Sequence, residues 1–154
     1  MVPNKELSEK QFRFRGMFMT LFIDIEFLLG DTLATTLVGD NELKFNLIEF
    51  INPKLTLEPK ITLLNNVLKK KYSSLHTEYK DDLEKLRKYN NLRNSFAHKR
   101  IEMDLKNKKL YFVDLVEGID NKSGFTYDEL EKRIKELVHL LNQLNKLHNK
   151  LIAL

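Results

Sequence analysis

Cysteine is absent from the 154 residues. Its absence excludes a disulfide framework, a thiolate metal site and a cysteine nucleophile, and it fits a reducing compartment. Glycine and proline number only 5 and 3, too few for a turn-rich β-sandwich or a low-complexity chain. No glycine-rich phosphate loop and no G-x-S-x-G elbow can be found. The four histidines, His76, His98, His139 and His148, have no i,i+3 or i,i+4 spacing to one another, so no metal site is expected and no cofactor is implied. Long uninterrupted apolar runs are missing too. The richest stretch, Gly16 to Gly39, carries Asp24, Glu26 and Asp31, which makes it a poor membrane span and a good buried helix. The opening MVPNKELSEKQF is charged and lacks the apolar core of a signal peptide. A cytoplasmic protein without a membrane partner is the expectation.

What is present suits one soluble domain over residues 1–154: 42% hydrophobic and 31% charged residues, with no linker or internal repeat. The net charge of +4 is unevenly spread. Residues 1–50 carry −3, residues 51–100 carry +7, and residues 101–154 balance at zero. Clustered Lys and Arg are the electrostatic footprint of a polyanion binder. Taken alone, Lys69 to Lys71 are also what a solvated helix end looks like.

Helical periodicity dominates. Ser8 and Gln11 have capping-box spacing, and apolar residues then fill Phe12 to Leu37 on nearly every side, as in a central helix. Thr20, Asp24, Asp31 and Thr35 form one narrow polar stripe on it. Gly39-Asp40-Asn41 breaks the pattern. Phe45 to Ile51 reads as either a short helix or an extended strand, ended by Asn52-Pro53. Glu58-Pro59 opens a second main helix with Ile61, Leu64, Val67 and Leu68 inward. A third runs from about Thr77 to His98. Ile101, Met103 and Leu105 alternate with polar residues and, across Asn107-Lys108-Lys109, face Leu110 to Val113 as a hairpin. Thr126 and Glu129 form a second capping box. The last helix follows with a stripe of Leu130, Ile134, Leu137, Leu141, Leu144, His148 and Leu151, in which His148 reads as a satisfied core histidine. The predicted fold is all-α, an antiparallel bundle of four main helices with a small β-hairpin between the third and fourth.

One residue breaks the pattern. On the third helix Tyr79, Leu83, Leu86, Tyr89, Leu92, Phe96 and Ala97 share one arc, and Arg93 falls inside it. A guanidinium aimed at an apolar face needs an anion, a partner chain or a buried carboxylate. Asp24 or Asp31 would serve as that carboxylate. His98 lies about 140° round from Arg93 on a straight helix, so a second copy of the chain is the simplest way to assemble both into one site. Asn94 and His98 are i,i+4 neighbours, close enough for Asn94 to orient the ring. A histidine near a helix C-terminus is also a common dipole cap.

Arg93-Asn94-Ser95-Phe96-Ala97-His98 resembles the R-x4-H motif of the HEPN superfamily, including the polar residue directly after the Arg. The helix order and the Pro59-Lys60-Ile61-Thr62-Leu63-Leu64 opening of the second main helix are similar to that family as well. The resemblance implies a metal-independent endoribonuclease, or a degenerate relative that binds RNA without cutting it. It further implies a homodimer with a composite cleft, a role as a toxin or phage-defence effector, and an antitoxin protein as a partner. His98 and Arg93 would be the catalytic pair, with Asn94 in support. Lys85, Arg87, Lys88, Lys99 and Arg100 would contact RNA. Where some such toxins carry a tyrosine two residues after the histidine, this chain has Arg100, which argues against control by tyrosine modification. A non-catalytic dimeric module binding RNA or protein is the rival reading.

Overall fold

Apolar residues spaced three to four apart build a first helix, α1 (Lys5–Val38), which buries Phe14, Phe18, Phe22, Ile25, Leu29 and Leu33. In the computed structural model, which describes residues 5–39, 41–104, 106–113 and 123–154, the other helices are α2 (Glu42–Lys54), α3 (Leu57–Lys71), α4 (Ser73–His98) and α5 (Tyr127–Ile152). The protein is mostly helical, and α1 packs against each of the other four helices. The predicted cap at Ser8 is not where α1 begins. The helix is already formed at Lys5, the first described residue, and Lys5, Glu6 and Leu7 are good helix formers.

The undecided segment after α1 is helical. Asn41 caps α2, its side-chain oxygen accepting from the Leu43 amide at 2.9 Å; Asp40 lies outside the described residues. Pro53 does not end the helix at once, which runs on to Lys54. In the last turn a proline removes only one internal hydrogen bond.

The extra helix changes the bundle's directions. Glu58 meets Arg87, and Tyr89 meets Glu136, so α3 and α4 are antiparallel, as are α4 and α5. Phe18 packs on Phe96 while Glu26 faces Arg93, so α1 and α4 are antiparallel too. Phe14, however, stacks on Tyr127, and Thr32 meets His148, so α1 and α5 run the same way. Four helices alternating up and down would have set the first and last antiparallel. Here α2 is a return leg between α1 and α3, and the expected all-antiparallel bundle of four main helices is corrected to five helices with a parallel α1–α5 pair.

The capping box at the start of α5 forms as predicted, Thr126 accepting from the Glu129 amide and Glu129 from the Thr126 amide. Its buried face is wider than the predicted stripe. Leu140 and Leu147 are buried and Leu141 is half-buried, since α5 packs against both α1 and α4. The predicted hairpin exists as β1 (Arg100–Asp104) and β2 (Lys109–Val113). Leu105 and the Met103 side chain lie outside the description. A third strand, β3 (Ser123–Thr126), adds antiparallel to β2. Its Gly124 sits under the Tyr111 ring, where a Cβ would collide with that ring. Phe112 meets Phe96 edge-on at 4.8 Å, and Gln11 donates to the Ile101 carbonyl, so the sheet closes the end of the bundle where α4 terminates.

The polar stripe of α1 divides. Thr20 and Asp24 face solvent. Asp31 turns inward to Lys44 at 2.8 Å and to His148 Nε2 at 3.4 Å, while His148 Nδ1 lies 3.3 Å from the Thr32 hydroxyl. This cluster ties α1, α2 and α5 together, and it makes His148 a satisfied core residue, as the stripe predicts.

Candidate active site

Phe96 anchors the end of α4. It is 1% exposed, with Phe18 at 4.4 Å and Phe112 at 4.8 Å between ring centroids. Its burial fixes the rotation of the last two turns and turns Arg93 toward α1. There the Arg93 Nη2 lies 3.3 Å from Glu26 Oε1, with the two side chains 28% and 26% exposed. Nη1 donates to Asn94 Oδ1 at 3.2 Å. Nε is buried and has no acceptor among the described residues. The guanidinium is therefore braced on two sides and incompletely satisfied.

Both predicted carboxylates are corrected. Asp24 is exposed, and Asp31 is taken by Lys44 and His148. The partner of Arg93 is Glu26, which in the sequence looks like no more than an interruption in an apolar run. Around Glu26 four helices converge. Its backbone carbonyl accepts from the Lys60 ammonium at 3.0 Å, and Lys60 also donates to Asn52 Oδ1 at 2.9 Å. Lys60 is 2% exposed. Burial pulls its pKa below the ordinary value, and the nearby Glu26 carboxylate works against that shift. A signal for Lys60 is present in the sequence: it shares a helical face with Leu57, Ile61, Leu64 and Leu68.

His98 is the last residue of α4, exposed, and without a hydrogen bond or ion pair to any described residue. It stays on the helical path, and the chain turns extended only at Lys99. The divergence of about 140° from Arg93 therefore persists. A free carbonyl at this helix end is met by Arg15, whose Nη2 donates to Ala97 O at 3.2 Å. Asn94 does not orient the His98 ring; its side chain is engaged by Arg93.

The five basic residues assigned to RNA do not share one face. Arg87 points at α3, held by Glu58 at 2.7 Å, by Glu84, and by the Thr62 hydroxyl at 3.1 Å. These acceptors hold its guanidinium against α3, away from the other four. Lys85 and Lys88 border a cleft between α4 and α5. Lys99 and Arg100 follow His98 directly, with Arg100 well exposed and its Nε 4.0 Å from Glu102. A cavity of about 850 Å³ lies elsewhere, between the N-terminal parts of α1 and α5 beside Arg13, Phe14, Tyr127 and Lys135, and neither Arg93 nor His98 lines it. Among the described residues no three His, Asp or Glu side chains gather as a metal site, and no helix is long and apolar enough to cross a membrane.

The site thus consists of a braced Arg93, an exposed His98 and a short basic run at the α4–β1 junction. Compared with family models, with curated proteins and with solved structures, the chain matches none of them.

Proposed function

We propose that this protein is a metal-independent endoribonuclease of the HEPN type, cleaving RNA through its own 2′-hydroxyl. The observation that carries the reading is His98: an exposed imidazole with no partner among the described residues, at the end of the helix that holds a braced, incompletely satisfied Arg93. RNA cleavage of this kind forms a bond from the 2′-oxygen to phosphorus and breaks the bond to the 5′-oxygen. The 2′-hydroxyl loses a proton and the leaving oxygen gains one. Imidazole suits both transfers near neutral pH. A guanidinium fork suits the non-bridging phosphate oxygens as charge develops on them. The products are a 2′,3′-cyclic phosphate and a 5′-hydroxyl.

A homodimer completes this reading. Ile23 and Phe27, 63% and 60% exposed, flank Glu26 on α1, and Phe50 of α2 is 63% exposed. Two copies meeting through this apolar surface would bury it and bring both Arg93–Glu26 pairs to the seam. Toxin or phage-defence action in the cytoplasm, with an antitoxin protein as a further partner, follows from the family resemblance.

The rival reading, a non-catalytic module binding RNA or protein, draws on the same Arg93–Glu26 pair taken as structural. One experiment separates them. Pure protein is incubated with mixed RNA in EDTA, wild type beside His98→Ala, Arg93→Lys and Arg93→Ala, and each protein's thermal melt is recorded. The expected result is cleavage of RNA but not DNA, a loss on the order of 10²–10⁴-fold for His98→Ala, and partial activity for Arg93→Lys, because a point charge cannot reproduce the fork. Equal cutting by wild type and His98→Ala, with Arg93→Ala melting much lower, would leave the scaffold reading standing.

A further inference from the structure

We infer that the cleft between α4 and α5 holds backbone phosphates of single-stranded RNA, with Arg133 and His139 of α5 joining Lys85 and Lys88 of α4; this rests on the RNA reading above. The cleft has a volume of about 370 Å³, enough for a nucleotide-sized group. Cationic and imidazole side chains enter it from both helices. Its one lining carboxylate, Glu136, is engaged by the Tyr89 hydroxyl. Lys85 has a carboxylate of its own, Asp82 at 3.6 Å. Lys88 is exposed and ion-paired with no described residue, Arg133 has Glu129 one turn away on α5 but no carboxylate within ion-pair distance among the described residues, and His139 is exposed.

Arg133 is the informative residue. Its guanidinium carbon lies 4.8 Å from the Phe125 ring centroid and 6.0 Å from that of Tyr89. Packing on two aromatic faces holds the plane of the guanidinium, and its N–H edge, part of which faces the Tyr89 hydroxyl, has five donors to share with a phosphate. Tyr89 is itself 8% exposed, so the cleft offers cations rather than a stacking platform. Such a site grips phosphates and is indifferent to base identity. It differs from the track expected from the sequence, because Arg87, Lys99 and Arg100 do not line it and two residues from outside the basic middle third do.

The test is fluorescence anisotropy of a labelled oligouridylate at low salt in EDTA, all proteins carrying His98→Ala so that the probe survives. The Lys88→Glu/Arg133→Gln double variant should weaken binding at least about tenfold, and its log–log salt slope should shrink by about 0.7 for each phosphate that is no longer neutralised. Lys70→Glu, a charge reversal at the exposed end of α3, should bind within about twofold of the parent. Should Arg133→Gln fail to fold, Lys85→Glu/Lys88→Glu decides, since both side chains are exposed. Binding by the cleft variants equal to the parent's overturns the inference and leaves the RNA reading intact. No binding by the parent itself overturns the RNA reading and the inference together.

Discussion

Lys60 is the residue with the least room for its charge. Its ammonium is satisfied by two neutral oxygens, the Glu26 carbonyl and the Asn52 amide, and burial lowers its pKa from 10.5. The unfolded chain therefore binds this proton more tightly than the folded one. The burial cost is present in full below the folded pKa and is relieved as pH rises from there toward 10.5. Lys60 should make the protein gain stability with pH in that alkaline window. Lys60→Gln should abolish the gain, read as the difference in urea midpoint across the window between variant and wild type. The role of Lys60 also bears on the candidate site, because the backbone it grips is that of Glu26, the residue that braces Arg93.

The helices show which features are open to sequence reading. Periodicity locates α1, α3, α4 and α5, and the capping-box spacing places the start of α5, because each depends on residues close in the chain. The nature of α2 is not legible: Phe45 and Phe50 are exposed and Ile51 buried, so its apolar residues trace no single inward face. Strand β3 is four residues with a glycine, and it exists because β2 and Tyr111 lie beside it. Arg93 stands out in the sequence as misplaced on its arc, but its partner does not, since the choice among Asp24, Glu26 and Asp31 depends on how α1 rotates against α4. Gly30 records another such meeting. A Cβ there would collide with the side-chain oxygen of Asn52. Gly30→Ala should destabilise by roughly 1–3 kcal/mol through overpacking. Adding Asn52→Ala should recover part of that deficit, so urea melts of the two single variants and the double should be non-additive.

For the whole molecule, the decisive quantity is the number of copies. Ile23 and Phe27, one turn apart on α1, are exposed, and so is Phe50 of α2; large apolar side chains left to solvent in this way suit a surface covered by a second copy. Sedimentation at micromolar concentration should show a dimer. Ile23→Asp/Phe27→Asp should shift it to a monomer that still melts cooperatively, because these side chains contribute little to the core, with the melt lowered only by the lost association, and RNA cleavage should fall with it. A wild-type monomer that cleaves RNA at full rate would remove the need for a composite site.

The parallel course of α1 and α5 has a practical consequence for construction. α5 ends level with the last turns of α1, so Lys5 at the start of α1 and Ile152 at the end of α5 lie at opposite poles, about 45 Å apart at 1.5 Å per residue. Any segment that joined the end of α5 back to the start of α1 would have to be roughly 14 residues long even when fully stretched. A short segment leading from α5 into the α1 of a second copy would hold the two bundles end to end, whereas one long enough to retrace the bundle would allow them to lie side by side.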